Sequence, residues 1–158
     1  MALVLYCVGI IFFGLSALAF ASPTLDTLIN ATARFSTAIQ EQLATVQKDP
    51  LSAELVLVEN TIAYAKAKTV YCTALREAIP ELIDIAMGKY PRPVPLDKFA
   101  AVYSIVEERQ DKAADEKTFV LLERFSGDPL VEKARAVFER AQQIEEAFHK
   151  DFDGIHLR

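Results

Sequence analysis

What is scarce in this chain narrows it first. Cysteine occurs only at Cys7 and Cys72 in 158 residues, which excludes a disulfide-stapled miniprotein. Histidine occurs only at His149 and His156. A Ser-His-acid triad would need one of them beside a nucleophile, and the stretch leading to them offers none. Beyond Ala21 the only glycines are Gly88, Gly127 and Gly154. There is no glycine-rich phosphate loop, no C-x-x-C and no C-x-x-C-H haem attachment. Neither sign of charge forms a dominant block: 17 Lys+Arg stand against 22 Asp+Glu, a net charge of -5. That balance argues against nucleic acid as a partner. With 52% hydrophobic and 25% charged residues, the composition is that of a folded domain rather than a disordered chain.

Charge is missing altogether from residues 2–21. Leu3, Val4, Leu5, Val8, Ile10, Ile11, Phe12, Phe13 and Leu15 form an apolar run, followed by Ala19-Phe20-Ala21. Small residues at 19 and 21 fit the cleavage pattern of a signal peptide. Removing 21 of the 158 residues leaves 137, a single domain of 22–158 able to bury a core without staples. Met1-Ala2-Leu3 carries no Lys or Arg, so an uncleaved membrane anchor is the alternative, since about 20 apolar residues span a bilayer. Either way the domain is expected outside the cytosol, secreted or periplasmic. Cys7 lies inside the apolar run behind bulky Tyr6, a poor lipoprotein signal. Cys72 is then the lone thiol of the mature chain. Among Val70, Tyr71 and Leu75 it is expected buried and unreactive, in a monomer; an intermolecular disulfide is the alternative.

The sparse punctuation leaves long uninterrupted stretches, which favours helices. Leu25, Leu28, Thr32, Phe35, Ile39, Gln42 and Val46 step by threes and fours, predicting a helix from about Thr24 to Lys48. A second helix is expected from Pro50. Its stripe is Leu51, Leu55, Val58, Ile62, Ala65, Thr69 and Cys72, widened by Val56, Tyr64, Val70, Tyr71 and Leu75. Asp49-Pro50-Leu51 and Asp128-Pro129-Leu130 both read as an N-cap acid before a proline at the first helical position. Pro80 should kink or restart the helix, giving a short fifth helix that ends at Gly88. Residues 89–95 hold three prolines in five positions, a stiff non-helical connector.

A further helix is expected from Pro95, with Leu96, Phe99, Val102, Tyr103 and Val106 on its stripe. Eight of the eleven residues from Glu107 to Lys117 are charged. They read as a solvated face, within one long helix or where two helices meet near Ala113-Ala114. The stripe resumes at Phe119, Val120, Leu121, Leu122 and Phe125. The last helix, from Pro129, places Leu130, Ala134, Val137, Ala141, Ile144 and Phe148 inward and Glu145 and Glu146 outward. The expected fold is all-α, an up-down bundle of four main helices plus the short fifth. Phe35, Tyr64, Tyr71, Phe99, Tyr103, Phe119, Phe138 and Phe148 should supply much of its core.

Chemistry-bearing candidates are few. His149, Asp153 and His156 are a weak metal set, because imidazole and carboxylate suit zinc or copper but Gly154 breaks the helical spacing. Asn30-Ala31-Thr32 is a glycosylation sequon. No catalytic residue and no cofactor is expected. The pattern points to a non-catalytic bundle that binds another protein. A carrier of a small apolar ligand in the bundle core and a metal-binding protein are the alternatives.

Overall fold

The computed structural model describes residues 22–89 and 110–153. Among these residues all regular structure is helical, in four elements: α1 (Pro23–Gln47), α2 (Leu55–Ala86), α3 (Gln110–Arg124) and α4 (Pro129–Asp153). The apolar segment 1–21, the prolines at 91, 93 and 95 with the helix expected after them, and His156 lie outside the described residues. No helix among the described residues is long and apolar enough to cross a membrane.

Side-chain pairs fix the helix directions. Between α1 and α2 the partners run in opposite order, Thr45 with Asn60, Gln42 with Thr61 and Ser22 with Glu81, so these two are antiparallel. Between α2 and α4 the order is shared, Lys68 with Glu145 and Arg76 with Asp151, so they are parallel. Gln42 with Thr118 and Asp49 with Arg124 make α1 and α3 parallel too. Two antiparallel hairpins therefore lie side by side. α1 packs on α2 and α3, and α4 packs on α2 and more lightly on α3.

Each helix has a local cause. Ser22 caps α1: its backbone is extended and its Oγ accepts from the Leu25 N–H at 3.1 Å, with Pro23 in the first turn. All seven residues of the stripe predicted for this helix are buried. At α4 the acid-proline cap forms as predicted, the Asp128 Oδ1 accepting from Leu130 N–H at 2.8 Å. Along α4, Ala134, Phe138, Ala141 and Phe148 are buried, whereas Leu130, expected inward, is exposed.

The matching tripeptide at Asp49 behaves differently. Asp49 adopts a left-handed φ of 48°, and its carboxylate accepts from Arg124 Nη1 at 2.6 Å. It is thus taken by α3 and caps nothing, and α2 starts at Leu55 rather than Pro50. Leu51, Leu55, Val56 and Val70, expected on the α2 stripe, are exposed. Pro80 neither ends α2 nor starts a separate helix; it lies inside an unbroken 32-residue helix. Leu82 and Ile85 beyond it pack on the core, and Ser22 of α1 bonds to Glu81. Tertiary contacts therefore hold the helix together across the missing N–H. α3 also runs unbroken through Ala113-Ala114.

The core is an aromatic spine among small residues. Phe35 stacks on Tyr64 and on Tyr71, with centroids 5.8 and 5.0 Å apart, and Tyr64 stacks on Phe138 at 6.5 Å. Ala65, Ala74, Ala78, Ala114, Ala134 and Ala141 fill around them. Phe119, expected in this core, is instead 52% exposed.

Candidate functional site

Two features stand out from plain bundle packing. The first is a buried charged centre. Lys68 projects from the core face of α2 and its side chain is fully buried. Its Nζ donates to Asp115 Oδ2 on α3 at 2.5 Å and to Glu145 Oε2 on α4 at 2.8 Å, and lies 5.4 Å from the centroid of the Tyr64 ring. The Tyr64 hydroxyl donates to Asp115 Oδ1 at 2.7 Å. A lone ammonium could not be carried into such a place; two carboxylates and a ring face make it tolerable.

The proton affinities follow from this geometry. Burial alone pulls Lys68 down, but Asp115 and Glu145 outweigh it and hold the ammonium above its usual range. Burial, and then the charge of Asp115, push the Tyr64 phenol far above its ordinary value. Burial, then Glu145, push the Cys72 thiol up to about 12. The centre keeps its protons. Lys68 is a fixed cation rather than a nucleophile, and Cys72, 4% exposed, is held as a thiol. Asp115 and Glu145, both read from sequence as solvated, turn inward to Lys68. Lys68 belongs to no recognised motif, although it follows Tyr64 and Ala65 by one turn and precedes Cys72 by another.

A second polar layer lies seven residues back along α2. Gln42 Nε2 donates to Thr61 Oγ1 at 3.0 Å and to Thr118 Oγ1 at 2.8 Å, with all three residues fully buried.

The second feature is an apolar end. The register above brings the C-termini of α1 and α3 together with the N-termini of α2 and α4. Leu51, Leu55, Val56, Phe119, Val120 and Leu130 all belong to that end and all are exposed. Between α1 and α3 a groove runs along Val46, Val120 and Leu121, rimmed by Asp49, Glu116, Lys117 and Arg124. Beneath it Val46, Leu57 and Leu121 pack on one another, so the groove floor is fixed by the fold.

The remaining sequence candidates lie apart from both features. His149 is exposed on α4, its ring edge-on to Phe148 at 5.6 Å. The side chain of Asp153 and all of His156 lie outside the described residues, and among those described no group of three His, Cys, Asp or Glu gathers to hold a metal. Asn30 is exposed on α1, but Thr32 of its sequon is buried in the α1 seam, its Oγ1 donating to Leu28 O at 2.7 Å. Compared with protein-family models, curated proteins and solved structures, the chain has no match.

Proposed function

We propose that this protein is an exported helical bundle that acts by binding another protein through its apolar end, without catalysis of its own. The observation that carries the reading is the clustering of exposed apolar residues. Of the eight large hydrophobic residues exposed among those described, six belong to the end formed by the α1–α2 and α3–α4 turns. Scattered apolar residues are ordinary on a monomer, whereas a concentration of them marks an interaction surface. The partner element that suits the α1–α3 groove is an amphipathic helix. Its apolar side would meet Val46, Val120 and Leu121, and charges of both signs outside would meet Asp49, Glu116, Lys117 and Arg124. The carrier alternative is less well supported, because the aromatics that would line a cavity are stacked on one another. Export rests on the uncharged N-terminal run and Ala19-Phe20-Ala21.

The test is site-specific photocrosslinking in the producing cell. A crosslinker at Val120 or Leu51 should yield a discrete heteromeric adduct. One at Ala63, exposed on the outer face of α2, should not. Val120→Glu should abolish the adduct formed from Leu51. Equal yields from Val120 and Ala63 would remove the assignment of this end as the interface.

A further inference from the structure

The outer face of α3 carries two rows of opposite charge. At about 100° per residue, Ala113 and Val120 share one line along this face. Glu116 and Glu123 lie about 40–60° to one side of it, and Lys117 and Arg124 about 40–60° to the other. All six residues are exposed. Glu116 and Lys117 have no partner among the described residues. Glu123 gives only Oε1 to Arg135, and Arg124 gives only Nη1 to Asp49 and Pro50, so each keeps atoms for a further bond. We infer that, when no partner is bound, this face is covered by a second copy of the chain, the two α3 helices lying side by side and parallel about a two-fold axis along their length. The inference rests on the reading of this end as an interaction surface and names what covers it in the free protein.

The orientation follows from the side on which each row lies. A two-fold along the helix axis brings the left side of one helix against the right side of the other. Parallel copies therefore set each acidic row against the other's basic row. Glu116 meets Lys117 of the second copy, and Glu123 meets Arg124 of the second copy. Antiparallel copies would set acid on acid and base on base, and like charges so placed select against that pairing. The strip holds two acids and two bases, so it is neutral although the chain carries a net charge of -5, and the contact itself adds no net repulsion. Ala113 is small enough to let the helix axes approach, and Val120 meets Val120 on the axis. Phe119 borders the acidic row, where Arg124 of the second copy can lie across its ring. One helix of 15 residues per copy, about 22 Å long, makes a small contact of the transient class. The monomer expected from the sequence is then the dilute form. The strip shares Lys117, Val120 and Arg124 with the α1–α3 groove, so the second copy and a partner's helix exclude each other. The free protein masks its own binding face, and a partner binds by drawing on the monomer.

Sedimentation velocity on the chain recovered from an exporting host reads the association directly. Between about 1 μM and about 500 μM the weight-average mass should rise from monomer towards dimer. Glu116→Lys and Lys117→Glu should each weaken the association at least about tenfold, because each sets like charges together. An equimolar mixture of the two variants should associate as wild type does, since each then supplies the charge that the other lacks. Neither substitution removes a contact within the monomer, and circular dichroism confirms that the helices remain. Ala113→Cys should give a disulfide-linked dimer on mild oxidation, because Ala113 faces its own copy only in the parallel arrangement; Cys72 is buried and takes no part. A mass that stays monomeric at about 500 μM, or a Glu116→Lys variant that associates more tightly than wild type, as antiparallel copies require, overturns the inference. If Val120 still gives its heteromeric adduct in the cell, the partner reading then stands without it. A dimer with the expected mixing behaviour and no heteromeric adduct in the cell removes the partner reading instead, and leaves this end a surface for self-association.

Discussion

Replacing Lys68 with methionine tests the charged centre most directly. Methionine has nearly the length of lysine and no charge, so packing changes little while the cation disappears. Asp115 and Glu145 are then left facing each other. Their Lys68-bound oxygens lie 2.5 and 2.8 Å from one nitrogen, so the two carboxylates are separated by about 5 Å or less. With an effective dielectric near 20, two like charges at that distance repel by about 3 kcal/mol. Removing one partner of a buried pair costs about 3–5 kcal/mol in comparable cases. Both routes give the same size, so Lys68→Met should destabilise the domain by about 4 kcal/mol at pH 7. With a urea dependence near 2 kcal/mol per molar, the unfolding midpoint should fall by about 2 M.

The pH dependence separates this from simple loss of packing. In Lys68→Met the two carboxylates cannot both stay ionised cheaply, so one holds its proton more tightly than in the unfolded chain. A group whose folded pKa is raised gives stability that is lost as pH rises, and the variant should therefore recover as pH falls from 7 to 5. Urea unfolding at both pH values, followed by circular dichroism, measures it. An unchanged midpoint at pH 7, or a variant that weakens further on acidification, would refute the reasoning.

Other consequences follow from the same coordinates. Tyr64, Lys68 and Cys72 all bind their protons more tightly folded than unfolded, so stability should fall as pH rises. The fall begins near 9 with Cys72, steepens above 10, and costs about 1.4 kcal/mol per pH unit for each titrating group. Cys72→Ala should remove the portion that starts near 9; a flat urea midpoint between pH 9 and 10 in wild type would contradict it. Phe35→Ala should cost about 3–5 kcal/mol, whereas Phe119→Ala on the exposed end should cost under about 1 kcal/mol, both read from thermal unfolding. Asp128→Ala should cost about 1 kcal/mol because a true N-cap is lost. Arg124→Met, which breaks the exposed pair with Asp49 without disturbing the left-handed backbone there, should cost only tenths; a urea loss equal to that of Asp128→Ala would show that the pair is more than a surface contact.

The amphipathic faces of α1 and α4 were legible because one helix suffices to read them. Leu25 to Val46 and Ala134 to Phe148 repeat at helical spacing, and the fold buries those rows wherever the helices go. The two acid-proline tripeptides show where that kind of reading stops. Asp128 caps its own helix because nothing else competes for it. Asp49 has the same neighbours in sequence, but Arg124, 75 residues away, takes its carboxylate. The charged centre was hidden for the same reason. Asp115 sits in a run of charges and Glu145 beside Glu146, so each looks solvated on its own helix. Only Lys68, lying among Ala65, Tyr71 and Cys72 on a buried face, carried a local sign that something must meet it. The apolar end was misread in the other direction. Leu51 and Leu55 fit a helical stripe by spacing, but the helix starts only at Leu55; Phe119 lies on the outer face of α3, between buried Thr118 and buried Leu121 and Leu122.

The two polar layers have a task that the apolar core cannot perform. The aromatic spine joins α1, α2 and α4, but none of its rings comes from α3, whose buried apolar residues are Ala114, Leu121 and Leu122, so shape alone specifies the axial register of α3 more weakly. Gln42 takes hydroxyls from both α2 and α3, and Lys68 takes carboxylates from both α3 and α4. Together they tie all four helices. Sliding α3 by one turn, about 5.4 Å, would part Thr118 from Gln42 and Asp115 from Lys68 at once, leaving buried polar groups without partners. Slippage is thereby disfavoured even where hydrophobic burial would permit it. The triple change Lys68→Met, Asp115→Asn, Glu145→Gln separates stability from register. It removes the buried charges together, so its unfolding free energy from urea titration should stay within about 1 kcal/mol of wild type. If the centre fixes register, amide resonances of α3 should broaden or double in the triple variant while its helix content persists. A single sharp set of α3 resonances would show that packing alone sets the register.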